Sequence, residues 1–246
     1  MEFGKFRKFE SELFHTITDR YGGVSQKPYD SLNLALHVGD QVKDVLENRI
    51  RVSEKYDFSL KNLIFMDQVH GDKVVVIDHA MENCISDCDA LITNERKIPL
   101  MVMVADCIPI LIYDPVRKVI GVAHAGRNGT FLRIAQKTVL TMKEVYGCET
   151  KDIMIGLGAS IQSCCYEVGK DLADIASKNF GDAYIMIRDE KYYLDLQALN
   201  RAQLLEIGIK AENIEISTTC TACDENYFSY RREGETGRFA GFIMMR

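Results

Sequence analysis

The sequence predicts a mixed α/β (α+β) fold in which central mixed β-sheets are flanked by helices. Short apolar runs without polar alternation recur through the middle of the chain, which is typical of strands buried on both faces. Segments with helical spacing of apolar residues lie before and after these runs. The chain has 246 residues, 47% hydrophobic and 27% charged, a size and composition typical of soluble globular proteins. We therefore predict one domain spanning residues 1–246.

The elements follow in order from these patterns. Apolar positions at helical spacing predict a first helix over 41–56. The next predicted elements are strands at 63–65, 73–77, 90–92, 99–104, 108–113 and 119–123. Further helices are predicted near 130–146, 169–179 and 195–206, with strands near 152–157, 184–187, 214–217 and 239–244. Adjacent glycines, a proline and several Asp, Ser and Asn residues predict a long polar loop before the first helix.

Charge and composition exclude several classes of partner. A net charge of −6 and the absence of any Lys/Arg run longer than Arg231-Arg232 argue against nucleic-acid binding. No stretch reaches the ~18 apolar residues of a membrane span, and the first residues lack a signal peptide. We expect a cytoplasmic monomer that acts on small molecules and contacts no membrane. Its eight cysteines are then expected to be reduced thiols or metal ligands.

The segment ADCIPILIYDPVRKVIGVAHAG at 105–126 predicts a β-hairpin, because two apolar strands flank the turn-forming residues at 114–117. If Tyr113 pairs with Lys118, the antiparallel register places Cys107 opposite His124. Directly opposed residues have Cβ atoms ~5 Å apart, a distance that two ligands of one tetrahedral ion can bridge. The hairpin thus predicts a metal site.

His70 is the third candidate ligand, because it lies where an apolar strand ends in a polar turn closed by Gly71. One Cys and two His leave a tetrahedral position open, as in catalytic zinc sites. Two simpler interpretations remain: Cys107 as an ordinary buried cysteine and His124 as a hydrogen-bonded core histidine.

The remaining cysteines carry weaker patterns. Cys220 and Cys223 have the C-x-x-C spacing, but no second C-x-x-C or H-x-x-x-H pair accompanies them in the sequence. Cys164 and Cys165 are adjacent, a geometry poorly suited to binding one ion together. We therefore interpret all four as packing residues.

Other polar residues give little direction. His15 and His79 have no ligand-like neighbours in sequence. Arg231, Arg232 and Arg238 could contact an anion, although a solvated charge cluster is the commoner case.

Several motifs together make the chain resemble a known family, the bacterial YfiH-like laccase-domain or polyphenol oxidase proteins. The resemblance covers nearly the whole chain, through RYGGVS at 20–25, SLNLALHVGD at 31–40, ENR at 47–49, DQVHG at 67–71, DCDAL at 87–91, ADCIPIL at 105–111, HAG at 124–126, CCYEVG at 164–169, FSYRR at 228–232 and TGR at 236–238. It implies a YfiH-like fold. It also implies purine nucleoside phosphorylase activity and adenosine deaminase activity.

The resemblance further implies a set of site residues. The family's metal ligands fall on His70, Cys107 and His124, with Zn²⁺ as the expected metal and copper as the alternative. Asp106 joins Cys107 and His124 as a candidate catalytic residue. The implied substrate-binding residues are Asn33, His37, Arg49, Gln68 and Arg127. Where the family commonly reads HAGWRG, this chain reads HAGRNG at 124–129, so Arg127 is the candidate that replaces the missing positive charge.

The leading hypothesis is a zinc-dependent enzyme that cleaves adenosine, inosine or methylthioadenosine with phosphate, giving the free base and a ribose 1-phosphate. Zinc lowers the pKa of bound water to about 7, which would account for adenosine deamination in the same pocket. A copper polyphenol oxidase is the second hypothesis, although a multicopper enzyme needs more than the five histidines present. The third is a Cys-His hydrolase editing peptidoglycan precursors, with Cys107 as nucleophile and His124 as base. A binding module is the fourth.

Overall fold

The structure, a computed structural model, describes residues 1–78 and 82–246; His79 lies outside them. The strands of the described residues are β1 (Leu13–Ile17), β2 (Ile64–Met66), β3 (Val74–Val76), β4 (Cys84–Ile85), β5 (Ala90–Thr93), β6 (Leu100–Val104), β7 (Ile108–Asp114), β8 (Val119–Ala125), β9 (Met154–Leu157), β10 (Glu167–Val168), β11 (Ile185–Arg188), β12 (Lys191–Leu194), β13 (Ile214–Ile216) and β14 (Phe239–Met245). The α-helices are α1 (Val42–Tyr56), α2 (Arg127–Phe131), α3 (Ile134–Tyr146), α4 (Lys170–Phe180), α5 (Leu196–Glu206) and α6 (Tyr230–Glu233). The predicted mixed α/β class is confirmed.

Two mixed sheets form the centre of the fold. One has the strand order β1-β14-β6-β2-β4 and the other β13-β9-β7-β8-β5-β3. Both contain parallel and antiparallel neighbours. A third sheet is small and antiparallel, has the strand order β10-β12-β11, and shares no strand with the other two. Among the described helices, none combines the length and apolar character needed to cross a lipid bilayer.

The two large sheets pack face to face, and helices cover their outer faces. Alternate residues of β6 show the arrangement: Leu100, Val102 and Val104 belong to the core shared with the other sheet. Met101 and Met103 point to the opposite side and pack in the cluster that includes Val52 of α1. The far face of the six-stranded sheet packs on α3 and α5. Strands buried on both faces explain why their sequences show no polar alternation.

One expected helix is divided, and several strands, β1 among them, were not predicted. The helix expected over 130–146 is divided, because Arg133 has a left-handed backbone (φ 64°) between α2 and α3. Strand β1 was not predicted, and its sequence LFHTI interrupts the apolar pattern with His15 and Thr16. The strand forms because it pairs along its length with β14, and because the His15 ring accepts a hydrogen bond from the Phe3 N–H at 2.9 Å.

The hairpin of β7 and β8 exists, but its predicted register is wrong. Asp114 pairs with Val119, so the loop starts one residue later than expected, and Pro109 pairs with His124. The cause is the buried Asp114 side chain, whose Oδ1 accepts hydrogen bonds from the Val116 and Arg117 N–H groups at 2.8 and 2.9 Å. These bonds make Asp114 the last strand residue and the anchor of the turn.

Candidate metal centre and active-site cleft

Three potential metal ligands converge at the end of the β7–β8 hairpin. His70 lies in the loop after β2, Cys107 immediately precedes β7, and His124 lies in β8. Their ligand atoms all lie within 4.8 Å of one another, and the His70 Nε2 to Cys107 Sγ distance is 4.0 Å. Ligands of one tetrahedral zinc would lie ~3.5 Å apart, given Zn–S of ~2.3 Å and Zn–N of ~2.0 Å. The donor types and their spacing therefore fit a borderline-soft divalent ion.

A buried carboxylate, Asp89, holds two of these ligands in place. Its Oδ1 contacts His124 Nδ1 at 2.7 Å and accepts the His70 N–H at 3.0 Å. Its Oδ2 accepts the N–H groups of Val69 and Gly71 at 3.2 and 2.7 Å. With Nδ1 bound to the carboxylate, His124 presents Nε2 to the ligand side. A carboxylate that orients a ligating histidine is typical of metal centres.

Cys107 and His124 stabilise each other's charged forms, the thiolate and the imidazolium. Burial by itself would raise the pKa of the Cys107 thiol, but attraction to His124 and hydrogen bonds from both histidines outweigh it and lower that pKa. Burial would likewise lower the pKa of His124, but attraction to Cys107 and the hydrogen bond to Asp89 raise it. The thiolate, the form that binds metal, is therefore the favoured form of Cys107.

Gly126 allows the ligands to approach one another. A Cβ at this position would lie 2.9 Å from Cys107 Sγ and 3.1 Å from His70 Cδ2. We expect Gly126→Ala to displace both side chains and to weaken metal affinity at least about tenfold. Substitutions of residues that orient metal ligands cause losses of this size. Competition with a chromophoric chelator measures the effect.

The matched control for that substitution is Gly169→Ala, because a Cβ on Gly169 meets nothing within 4 Å. Equal metal affinities for the two variants would contradict the steric role assigned to Gly126.

The three ligands lie in the wall of a cleft of about 440 Å³. Besides His70, Cys107 and His124, the cleft is lined by His37, Gln68, Met103, Val104, Ala105, Asp106, Ile161, Tyr166, Tyr230, Arg231 and Arg238. This volume is within the range of small-molecule sites. The wall combines aromatic surface, positive charge and the ligand cluster.

Two of the substrate-binding candidates, His37 and Gln68, line this cleft. The Gln68 amide is used within the protein: it donates to the Met103 carbonyl at 2.8 Å and accepts the Met103 N–H at 2.9 Å. It thereby fixes the C-terminal end of β6, which forms part of the wall. Partial desolvation of the His37 ring within the cleft, together with nearby Arg238, lowers the pKa of His37.

Asn33 and Arg49 lie behind the cleft wall in the described part of the chain. The Asn33 side chain accepts the Arg238 N–H at 2.9 Å and donates to Asp40 at 2.9 Å. Arg49 donates twice to the Leu34 carbonyl, at 3.0 and 2.8 Å. Direct contact between either residue and a substrate stays a prediction.

Arg127 and Asp106 occupy different positions around the ligands. Arg127 is exposed at the start of α2, where its guanidinium donates to Asn128 Oδ1. Asp106 precedes Cys107 with a left-handed backbone (φ 87°). Its carboxylate accepts hydrogen bonds from Thr221 Oγ1, Ser229 Oγ and the Arg231 N–H at 2.6, 2.7 and 2.6 Å. These bonds join the ligand loop to the C-terminal segment, so Asp106 positions the cleft wall.

Comparison with known proteins identifies the family. The family model described as multi-copper polyphenol oxidoreductase laccase matches residues 14–246. The chain belongs to this family. It is 34% identical to the purine nucleoside phosphorylase YlmD of Bacillus subtilis, over 96% of this chain and 89% of that protein. It is 37% identical to a purine nucleoside phosphorylase of Corynebacterium glutamicum, over 93% of each chain.

Solved structures of this laccase-domain family have the same fold. A Bacillus licheniformis hypothetical protein, YfiH, superposes with a TM-score of 0.92 at 32% identity, over 98% of this chain and 94% of that one. YlmD from Geobacillus stearothermophilus superposes with a TM-score of 0.90 at 33% identity, over 95% and 92% of the two chains. The predicted YfiH-like family and fold are confirmed.

Sequence analysis of this laccase-domain chain missed Asp89 and did not separate the three C-terminal arginines. Arg238 lines the cleft, and Arg231 lines it while donating to the Cys165 and Glu167 carbonyls. Arg232 instead holds the preceding loop, because it donates to the Thr221 and Tyr227 carbonyls at 2.6 Å each. A signal for Asp89 existed in the DCDAL motif, where a carboxylate directly precedes a buried strand.

Proposed function

We propose that this laccase-domain protein is a zinc-dependent purine nucleoside phosphorylase with adenosine deaminase activity. The observation that carries the proposal is the juxtaposition, in one cleft, of a three-ligand His₂Cys centre, a cationic side chain and aromatic surface. A guanidinium can bind phosphate, aromatic surface can stack on a purine base, and a bound ion can add positive charge beside the reacting groups. Relatives named purine nucleoside phosphorylase over nearly the full chain support it.

In the proposed reaction, a phosphate oxygen attacks C1′ of the nucleoside as the bond from C1′ to the base nitrogen breaks. The bond's electron pair leaves with the base, which takes up a proton. The sugar is released as its 1-phosphate, which is ribose 1-phosphate from adenosine or inosine and 5-methylthioribose 1-phosphate from methylthioadenosine. Adenosine, inosine and methylthioadenosine share this bond. In the second activity, water replaces the C6 amino group of adenosine, giving inosine and ammonia.

The residues of the cleft divide these tasks. Arg238 carries the positive charge for the phosphate, since a guanidinium can donate two hydrogen bonds to one oxyanion. Tyr166 and Tyr230 offer ring surface to the base. His70, Cys107 and His124 would hold the ion. When bound, a divalent ion supplies positive charge beside the reacting groups and lowers the pKa of a neighbouring water.

The deciding experiment measures base release and formation of the sugar 1-phosphate from adenosine, inosine and methylthioadenosine, with and without phosphate. We expect base release to require phosphate, and inosine formation from adenosine to proceed without it. Phosphate-independent oxidation of phenols by copper-loaded protein, with nucleosides untouched, would replace the proposal by polyphenol oxidase activity. Activity of metal-free protein on peptidoglycan precursors would replace it by the Cys-His hydrolase.

We expect Arg238→Lys to raise the KM for phosphate about 10- to 100-fold, because a charged, bidentate hydrogen-bonding pair contributes about 1.5–3 kcal/mol. The KM for the nucleoside should change much less. Steady-state kinetics at varied phosphate concentration measure both. Arg7→Ala is the control, since the Arg7 side chain is exposed in the short 3₁₀ helix Gly4–Phe9. A larger effect on phosphate KM in Arg127→Ala than in Arg238→Lys would assign the phosphate to Arg127.

A further inference from the structure

A second group of metal-binding side chains lies outside the His₂Cys centre. The Sγ atoms of Cys164, Cys165, Cys220 and Cys223 all lie within 4.8 Å of one another. The first pair is in the turn before β10, and the second pair is in the turn after β13. Sequence analysis interpreted these residues as packing cysteines, and the fold brings the two pairs together in one group.

We propose that these four cysteines bind one Zn²⁺ ion in a closed four-thiolate site. With Zn–S of ~2.3 Å, sulfur atoms of a tetrahedral site lie ~3.8 Å apart. The Cys164 and Cys223 Sγ atoms are 3.8 Å apart, and those of Cys165 and Cys223 are 3.2 Å apart. Disulfide sulfurs lie ~2.05 Å apart, and all four cysteines are free.

The turn at 163–165 allows the adjacent residues Cys164 and Cys165 to approach one ion together. Consecutive side chains point to opposite faces in a strand, but these residues lie in a turn. Both Sγ atoms contact the Sγ atom of Cys223. Cys220 is buried, and its Sγ accepts the Gln162 N–H at 3.4 Å, a bond that stabilises sulfur in its thiolate form.

Positive charge surrounds the cysteine turns. Four thiolates around Zn²⁺ leave a net charge of −2, which needs compensation where it is partly buried. Arg188 donates to the Ser163 and Cys164 carbonyls at 2.8 and 3.0 Å. Arg231 donates to the Cys165 carbonyl at 2.9 Å, and Arg232 donates to that of Thr221 at 2.6 Å. Three guanidinium groups thus bind the backbone of the two turns.

The proposed ion would connect the two turns that form one side of the cleft. Cys165 directly precedes Tyr166, which lines the cleft, and Cys220 directly precedes Thr221, which donates to the Asp106 carboxylate. Four ligands leave no open position, so the ion is structural. It holds the wall of the cleft in place and takes no part in the reaction.

The test uses zinc content in a Cys107→Ala background, which removes a ligand of the other centre and separates this proposal from the proposed function. Protein made with zinc and reductant should retain about one zinc per chain. Cys220→Ser or Cys164→Ser added to that background should release it. Cys84→Ser is the matched control, because Cys84 is free, exposed and outside both groups, and it should retain the ion.

Two further readouts keep the test decisive. Cobalt substituted into the Cys107→Ala protein should show thiolate-to-metal charge-transfer absorption, and Cys164→Ser should remove it. Circular dichroism checks that each variant is folded, and Cys164 is exposed, so its replacement leaves the core intact. Zinc-free Cys107→Ala protein, zinc content unaffected by Cys164→Ser and Cys220→Ser, or a disulfide between Cys165 and Cys223 in non-reduced protein would each overturn the proposal.

Discussion

Cys107→Ala is expected to abolish metal binding at the His₂Cys centre together with phosphorolysis and deamination. The substitution removes the single thiolate among the three ligands and leaves two imidazoles that hold a divalent ion weakly. Substitution of a residue that only orients a metal ligand typically weakens metal affinity about 10- to 100-fold. Loss of a ligand itself should weaken the affinity by more than this. The measurements are metal affinity by chelator competition and kcat/KM for adenosine with phosphate.

Cys84→Ala is the control for this substitution, because it also removes a free thiol, and Cys84 is exposed and outside both groups of candidate ligands. The control should keep parental metal affinity and activity. Metal bound by the four-cysteine group, Cys164, Cys165, Cys220 and Cys223, must be counted separately. The metal stoichiometry of Cys107→Ala is therefore compared with that of the parent. Unchanged kcat/KM in Cys107→Ala would refute the proposed role of the centre.

Asp89→Asn is expected to lower metal affinity about 10- to 100-fold and the free energy of unfolding by about 1–3 kcal/mol. Three backbone N–H groups and the His124 ring converge on the Asp89 carboxylate, which is fully buried. An amide keeps one acceptor oxygen but turns its NH₂ group toward donors. At least one buried N–H then loses its partner, and His124 loses its orienting charge.

The measurements for Asp89→Asn are chelator competition and urea unfolding, and the control is Asp87→Asn. Asp87 is exposed two residues earlier, and its left-handed backbone (φ 52°) suits asparagine equally well. The control should match the parent protein in both measurements. Parental metal affinity in Asp89→Asn would show that the ligands are held without this carboxylate.

Most elements of the central sheets could be predicted because their strands are buried on both faces. Runs such as 108–113 and 119–123 consist almost entirely of apolar residues, and few other structures tolerate such runs. The register between them could not be predicted, because it depends on the buried Asp114 side chain and its two bonds to the turn. The pattern of apolar residues carries no information about these hydrogen bonds.

The candidate ligands were predicted by two routes, and one of them rested on a wrong register. Cys107 does not pair with His124 across the hairpin, because it precedes β7 and follows a left-handed residue, Asp106. The two side chains still converge, since that backbone turn and the close approach at Gly126 bring Cys107 beside the histidines. The chemistry of the donors was therefore a more robust guide than the assumed geometry.

By itself the sequence determined the family, the mixed α/β class, the order of most elements and the three candidate ligands His70, Cys107 and His124. These properties are carried by local patterns and residue types. Tertiary structure decided which distant residues meet: Asp89 with His70 and His124, and Cys164 and Cys165 with the later cysteine pair. It also decided which arginines line the cleft, namely Arg231 and Arg238. The physical reason is that a hydrogen bond or a shared ion requires proximity in space, which a linear pattern does not record for residues tens of positions apart.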